Sequence, residues 1–247
     1  MAISKEMVSV LIENLHFPKT AFFNRVIAKE NFFKNLDSHQ RAVIVDDVQQ
    51  INWVFLLKSD TTNIHGYENE EIIINEIDVI HIQMKRGGDG ELVSKLVMSA
   101  IPKPVFLAVE WNDDSEIMFA TGSYKRIKSK DNSVKMTSFH KTTQIKVNDS
   151  EKLLTYIDFD NQRHLTLNDL LNSWIDNIER YVFEIKNGSN NKIDDYTEAN
   201  DRIVQLERQI QKLTKDAKKE TQLNKRAKLV SIVKNLQQEL TYIKNGE

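Results

Sequence analysis

The sequence predicts an α+β fold, in which a mixed or antiparallel sheet packs with helices and is followed by a C-terminal helical hairpin or coiled coil. Three observations lead to this prediction. Residues 71–145 contain runs rich in β-branched side chains that alternate with a period of two, as strands do. Residues 167–183 place apolar side chains on one helical face. Residues 199–247 hold two narrow apolar seams with steps of three and four residues.

The two seams in the C-terminal tail do not share one heptad register. They consist of Ile203, Leu206, Ile210, Leu213 and Ala217, and of Leu229, Val233, Leu236, Leu240 and Ile243. Residues 215–228 lie between them and are nearly all polar, without Gly or Pro to break a helix. Two interpretations are open: two antiparallel helices that turn near residues 219–221, or one long helix with a register shift. The hairpin is favoured, because two short seams that face each other bury both without a second chain.

Length and composition limit the classes of protein that fit this chain. A sequence of 247 residues with 40% hydrophobic content can bury the core of one large domain, or of one domain with an appendage. The absence of cysteine excludes disulfides, thiolate metal sites and cysteine nucleophiles. There is no apolar run of eighteen residues, and the opening residues lack the pattern of a signal peptide. We therefore expect a cytoplasmic protein without a cofactor.

The net charge of −2 conceals an uneven distribution. From residue 201 onward the chain has eleven Lys and Arg against six Asp and Glu, so the tail is its basic part. A basic helical arm can follow a nucleic-acid backbone or meet an acidic partner surface. Lysine-rich outer faces also keep any exposed coiled coil in solution, which is the simpler explanation.

The N-terminal part of the chain predicts helices that precede the first strand. Residues 4–15 have the spacing of an amphipathic helix, and residues 37–50 predict a helix that leads into a strand at residues 51–57. Between them, residues 20–35 interleave four phenylalanines with basic side chains. Such a mixture occurs on base-stacking surfaces, but phenylalanines of this kind more often belong to a core.

The central part of the chain predicts a β-α-β-β-β unit. Residues 71–84 form one strand, or two strands that meet at a bulge. Asp89 is placed to cap a helix at residues 90–100, which ends before the prolines of residues 101–104. Further strands are expected at residues 105–111, 116–124 and 134–145, with a hairpin loop between the first two.

The domain organisation follows from the last predicted helix and the polar stretch behind it. Residues 167–183 predict a helix for which Thr166 and Asp169 form a capping box. Residues 186–196 include an Asn-Gly-Ser-Asn-Asn sequence, which is typical of a linker. We expect a globular domain at residues 1–186, a linker at residues 187–198 and a coiled-coil arm at residues 199–247.

One group of residues is of the kind that binds magnesium in nucleases. Gln83 and Lys85 end a strand that also contains Asp78, and Asp60 ends the strand before it. Nucleases of the restriction-endonuclease fold resemble this arrangement: carboxylate and glutamine oxygens hold a magnesium ion, and the lysine helps to generate the attacking hydroxide. A strand that simply ends in solvent explains the same residues and is the favoured interpretation. The six histidines show no ligand spacing, so no metal site is predicted from them.

Six short motifs give the chain a resemblance that covers nearly its full length. They are Phe17-Pro18-Lys19-Thr20, Ile27-Ala28-Lys29, Ile51-Asn52-Trp53, Ile101-Pro102-Lys103-Pro104, Ser123-Tyr124-Lys125-Arg126 and Glu220-Thr221-Gln222-Leu223-Asn224-Lys225-Arg226. These motifs resemble those of a bacterial family catalogued only as a domain of unknown function, whose members end in a coiled coil. The chain departs from the family pattern at Phe17, Ala28 and Leu223, where leucine, proline and an aromatic residue are expected.

The resemblance implies a biological context rather than a reaction. Genes of this family lie beside DNA methyltransferases and helicases or translocases in restriction and phage-defence clusters. The chain is therefore expected to be a non-catalytic accessory subunit that docks such a partner through its coiled coil. The expected contacts to DNA or to the partner are Lys19, Arg25, Lys29, Lys125 and Arg126. The polar residues that fix the register of the coiled coil, or lie at a hairpin turn, are Glu220, Asn224 and Arg226.

The sequence also fits two alternatives to this hypothesis. The first is a magnesium-dependent nuclease with a degenerate site formed by Asp60, Asp78, Gln83 and Lys85. The second is a homodimer through the coiled coil. Cleavage of DNA in the presence of magnesium would separate the nuclease from the accessory subunit, and light scattering would identify the homodimer.

Overall fold

The computed structural model describes residues 14–111, 115–127, 133–188 and 193–245. The chain divides into two compact units, Met1–Ile178 and Glu179–Glu247. The helix expected at residues 4–15 lies outside the described residues except for its last two positions. The expected division into globular domain, linker and arm stays a prediction.

A mixed β-sheet is the centre of the first unit. The strands are β1 (Phe22–Val26), β2 (Val48–Lys58), β3 (Tyr67–Glu68), β4 (Ile73–Ile74), β5 (Glu76–Met84), β6 (Val105–Trp111), β7 (Glu116–Arg126), β8 (Val134–Lys141) and β9 (Ile145–Lys146). In the described parts of the chain, the large sheet has seven strands in the order β1-β2-β5-β6-β7-β8, with β9 beside β7, and β3 and β4 form a separate pair. Strands β5 and β6 run parallel, whereas the other described neighbours run antiparallel. The predicted α+β class with a mixed sheet is confirmed.

Two of the predicted stretches each divide into two separate strands. The stretch predicted as one strand or two at residues 71–84 is two strands separated by Asn75, of which only β5 belongs to the large sheet. The strand predicted at residues 134–145 ends at Lys141, and Ile145–Lys146 pairs separately with β7. The first division is one of the two predicted alternatives, and the second differs from the prediction. Both arise because pairing partners, and not local alternation, decide where a strand ends.

The α-helices that the structure describes before the hairpin are α1 (Ser38–Asp47), α2 (Ser59–Thr62), α3 (Gly90–Ala100), α4 (Glu151–Ile157) and α5 (Leu167–Asn187), and the division between the units lies within α5. Both predicted N-caps are confirmed. The Asp89 carboxylate accepts a hydrogen bond from the backbone N–H of Leu92 at 3.0 Å, and Thr166 Oγ1 accepts one from the backbone N–H of Asp169 at 3.1 Å. These bonds satisfy donors that have no partner within the first helical turn.

The core of the first unit lies on both faces of the sheet. On one face, Phe106 packs on Trp174 of α5 with ring centroids 4.5 Å apart. Helix α3 covers the other face, where a Cβ atom on Gly90 would lie 2.3 Å from Cζ2 of Trp111. Glycine is therefore required at the start of α3. Strand β6 is buried on both faces, which explains its nearly continuous apolar sequence.

Two helices, α6 (Tyr196–Lys219) and α7 (Leu223–Asn245), dominate the second unit. They pack against each other and are joined by only three residues, so they run antiparallel. The backbone of Glu220 is extended, with φ −71° and ψ 125°, which ends α6. Ion pairs join the helices from Arg202 to Glu239 and from Glu207 to Lys244, the second at 2.8 Å. The hairpin is therefore confirmed, and the single long helix is wrong.

Candidate functional site

A cleft of about 450 Å³ lies on the α3 face of the sheet, where β1, β2 and β5 meet the C-terminal end of α3. Its lining comes from stretches that are distant in sequence: residues 25–28 with Asn31 and Phe32, Trp53, Asp78 with Ile80, and residues 100–102. Three of these stretches overlap the motifs on which the family resemblance depends, at residues 27–29, 51–53 and 101–104. The fold brings these motifs together in one place, which makes the cleft the candidate functional site.

A bulge in β2 places Trp53 in the cleft. The pairing of β2 with β5 shifts register at this point, so that Trp53 pairs with Ile80 and Phe55 pairs with Val79. Paired residues project to the same face of a sheet. Trp53 therefore shares the face of Ile80, whereas Phe55 projects into the core on the other face. In a regular strand the two side chains would have shared one face.

Strand β1 adds an aromatic ring and a cation beside Trp53. The ring of Phe23 lies 4.7 Å from that of Trp53, and exposed Arg25 is opposite Trp53 in the strand register. Between them, Asn24 has φ 43°, in the left-handed region that asparagine tolerates better than most residues. Phe22 and Phe23 are 44% and 45% exposed, so the core interpretation is wrong for these two residues.

Asp78 supplies a buried carboxyl group to the cleft. It is 5% exposed, and its Oδ1 atom has no hydrogen-bond partner among the described residues. Burial raises the pKa of Asp78 to about 7, and the charge of Glu76 also raises it, while the charge of Lys103 lowers it. An uncharged acid and a carboxylate are therefore both accessible near neutral pH.

The four residues of the nuclease alternative do not come together. Asp60 is exposed and pairs with Lys58 at 2.9 Å, and this ion pair lowers the pKa of Asp60. Asp78 and Gln83 project to opposite faces of β5 and are about 16 Å apart along the strand at its usual rise per residue. The Nζ atom of Lys85 donates to the carbonyl of Val45 at 3.1 Å. No single metal ion can contact this set, so the structure does not form the predicted constellation.

Gln83 belongs instead to a buried polar row on the opposite face. His81 and Glu110 lie in this row, with His81 Nε2 at 3.0 Å from Glu110 Oε2. Asn52 is opposite His81 in the register and is also buried. Sequence reasoning missed this row, because its members alternate with apolar residues inside strands that are buried on both faces.

The five predicted contact cations do not form one surface. Arg25 lines the cleft, and Lys19 is exposed in a short 3-10 helix at Lys19–Ala21. Lys29 instead donates to the carbonyls of Val45 and Val48, near the end of α1. Lys125 and Arg126 lie on β7, four strands from β1, which corresponds to about 19 Å at the usual strand spacing. Arg126 is held by an ion pair with Glu68 at 2.8 Å.

The predicted register residues lie at the hairpin turn. Glu220 follows the last residue of α6, and its carboxylate accepts a hydrogen bond from the backbone N–H of Gln222 at 2.8 Å. Asn224 and Arg226 are exposed in the first turn of α7. Of the two interpretations of these residues, the turn is therefore the one that fits.

One group of ligand atoms was not predicted. His16, Asp158 and Asp160 each place a possible metal-binding atom within 4.8 Å of the others. His16 Nδ1 lies 2.9 Å from an Asp158 oxygen. No sequence spacing could reveal this group, because one member is distant from the other two. Exposed acidic groups of this kind are common without a metal ion.

Comparison with known proteins places the chain in a family. Residues 15–240 match the model of a domain of unknown function, DUF4391, and the chain belongs to this family. No curated protein and no solved structure has significant similarity to it. Within the described part of the chain, none of the helices combines the length and the apolar character that a membrane span requires.

Proposed function

We propose that this protein is a non-catalytic accessory subunit of a bacterial restriction-like or antiphage defence complex in the cytoplasm, and that its α6–α7 hairpin docks a partner protein. The family resemblance implies that the partner is a helicase or translocase, or a DNA methyltransferase. The observation that carries the proposal is that α7, a helix of 23 residues, contains no buried residue. A helix that is this exposed within its own chain has an apolar surface to offer to another protein.

The apolar seam between the two helices is only partly covered. Helix α6 buries Ile203, Leu206 and Ala217, whereas all five seam residues of α7 are half-buried. Outside the seam, Leu223 and Val230 are 80% and 53% exposed. They are seven residues apart and therefore project from the same side of α7. A partner helix laid along this side would bury both residues.

The charge around the hairpin turn indicates the chemistry of the partner surface. Residues 208–228 contain two acidic residues and eight basic ones, and all of the latter are exposed: Arg208, Lys212, Lys215, Lys218, Lys219, Lys225, Arg226 and Lys228. None of these eight forms an ion pair with a residue that the structure describes. We therefore commit to a protein partner with an acidic surface beside an apolar groove.

The test is co-purification of the tagged full-length chain with the products of its neighbouring genes. The variant Leu223→Ser/Val230→Ser should lose the partner, because both exposed apolar contacts are removed while the hairpin seam remains intact. The matched control is Leu165→Ser, since Leu165 is 78% exposed in the first unit and should retain the partner. Equal recovery with all three chains would overturn the proposal.

Two further measurements decide whether the hairpin has another occupant. Light scattering of the purified chain should give a monomer, and a dimer that Leu223→Ser/Val230→Ser dissociates would show a second copy on this surface instead. Binding of duplex DNA should not change in that variant. A loss of DNA binding with unchanged partner recovery would assign the hairpin to nucleic acid and overturn the docking proposal.

A further inference from the structure

The cleft contains a buried hydrogen-bond acceptor that no described residue satisfies. Asp78 is 5% exposed and its Oδ1 atom has no partner among the described residues, although buried polar atoms almost always have one. An ionised carboxylate can only accept hydrogen bonds. A ligand that fits this position therefore presents N–H donors to Asp78.

The wall beside Asp78 is suited to a planar ring. Trp53 is half-buried and lines the cleft, and Ile80, its partner on β5, lies on the same face of the sheet. Its indole Nε1–H already donates to the carbonyl of Phe55 at 3.0 Å, which fixes the ring and uses its only donor. Trp53 can therefore contact a ligand through the face of its ring. Any aromatic heterocycle can stack on such a face.

Arg25 favours a ligand with a negative charge. Its exposed guanidinium group belongs to the same cleft and suits a phosphate, which it can bind through two parallel hydrogen bonds. A cationic ligand would suit Asp78 but would be repelled by Arg25. The combination of an N–H donor, a planar ring and a negative charge is that of a nucleotide.

We infer that this cleft binds a nucleotide, with the base stacked on Trp53, the polar edge of the base hydrogen-bonded to Asp78 and a phosphate paired with Arg25. The volume of about 450 Å³ lies within the range of small-molecule sites. The same chemistry serves a free nucleotide or an unpaired base in a single strand. The inference concerns the first unit alone and does not depend on the hairpin.

The two oxygens of Asp78 also predict which base is preferred. Guanine carries two adjacent N–H donors on one edge, and they match both oxygens of a single carboxylate. Adenine and cytosine place an acceptor beside their amino group, and uracil has one N–H between two carbonyls. Because an acceptor directed at the ionised carboxylate is repelled by it, we expect guanine to bind best at about pH 8, where Asp78 is mostly ionised.

The experiment is a titration of the full-length protein with GMP, AMP, CMP and UMP, followed by tryptophan fluorescence and calorimetry. Trp111 and Trp174 are 3% and 0% exposed, so quenching by a stacked base would report mainly on Trp53. A guanine-containing single-stranded oligonucleotide is the second arm. Binding of the oligonucleotide at least about tenfold tighter than GMP would identify a strand as the source of the base, and equal affinities would identify the free nucleotide.

Two variants and their matched controls make the result decisive. Asp78→Asn should weaken GMP binding about tenfold, and Asp60→Asn, which changes an exposed aspartate, should not. Arg25→Gln should remove the advantage of GMP over guanosine, whereas Lys125→Gln, on β7, should leave it. Arg25 is exposed, so its variant also tests the site if Asp78→Asn fails to fold. The inference would be overturned if no nucleotide bound at about 1 mM, or if Asp78→Asn and Arg25→Gln both bound GMP as tightly as the wild type does.

Discussion

Two acidic residues on neighbouring strands are both buried, but only one of them has a hydrogen-bond partner for its buried oxygen among the described residues. Glu110 on β6 faces the polar row, and its Oε2 atom lies 3.0 Å from His81 Nε2. Asp78 on β5 faces the cleft on the other side of the sheet, and its Oδ1 atom has no partner among the described residues. The two are similarly buried, at 9% and 5% exposure, so they differ in partners and not in depth.

The difference indicates which of the two groups stabilises the fold. A buried carboxylate with a hydrogen-bonded partner holds its surroundings in one arrangement, and removing either member leaves the other unsatisfied. A buried carboxyl group without a partner destabilises the fold whenever it is ionised. A fold that retains such a group, in a cleft lined by Trp53 and Arg25, is consistent with a site for an external ligand.

The largest effect is expected for the pH dependence of stability at Asp78. Its pKa is raised from 3.8 to about 7 in the folded state, so between these values the folded chain holds a proton that the unfolded chain releases. The free energy of unfolding should therefore fall as the pH rises through this window, by about 4 kcal/mol for three pKa units. The charges of Lys103 and Glu76 contribute to this pKa, so they add no separate effect.

Comparison with Asp78→Asn isolates this effect from the other carboxyl groups. The wild type and the variant should have similar stabilities at about pH 4, and the variant should be the more stable by several kcal/mol at about pH 8. Chemical denaturation at a series of pH values measures both. A difference that does not grow between these pH values would mean that Asp78 has a partner in solution, and the contrast with Glu110 would disappear.

The second effect is the loss of stability when Glu110 loses its carboxylate. Glu110→Ala should lower the free energy of unfolding by about 3 kcal/mol, because it leaves His81 buried without its partner at Nε2. Glu110→Gln should cost less, since the amide oxygen can still accept a hydrogen bond. Urea unfolding at pH 7 measures both variants. If Glu110→Ala were as stable as the wild type, the hydrogen bond to His81 would not stabilise the fold, and the proposed difference between Glu110 and Asp78 would be wrong.

Much of the fold follows from the sequence because local signals and tertiary packing agree. The N-caps at Asp89 and Thr166, the hairpin turn after Lys219 and the strand at Val105–Trp111 are all predicted from short stretches. Strand β1 is an exception, since its aromatic and basic residues have no apolar alternation and its exposed phenylalanines resemble core residues. Its pairing with β2 decides the structure there.

The sequence does not predict the candidate site, although Arg25, Trp53 and Asp78 each belong to a predicted motif or contact set. The bulge between Trp53 and Phe55 decides that Trp53 faces the cleft, and a single sequence contains no signal for a bulge at that position. The sequence groups Asp78 with Asp60, Gln83 and Lys85 as a metal site, but in the structure these residues lie on the other face of the sheet or at its surface. Register and face are consequences of strand pairing, and they separate residues that are close in sequence.

The smallest effect concerns Lys29, which was predicted to contact DNA or a partner and instead lies at the end of α1. Its Nζ atom donates to Val45 O at 3.3 Å and to Val48 O, and Lys85 donates to Val45 O at 3.1 Å. Burial and the charge of Lys85 lower the pKa of Lys29. A cation at a helix C-terminus stabilises by up to about 1 kcal/mol, so Lys29→Met should cost no more than this.

The neighbouring lysine provides a sharper test of the same arrangement. Each single variant, Lys29→Met or Lys85→Met, removes a helix contact but also relieves the repulsion between the two ammonium groups. The double variant removes both contacts while that repulsion is relieved only once. Its loss of stability in urea should therefore exceed the sum of the two single losses. Additive losses would mean that the two lysines act independently. An unchanged stability in all three variants would mean that Lys29 does not stabilise the end of α1 and is available to contact DNA or a partner.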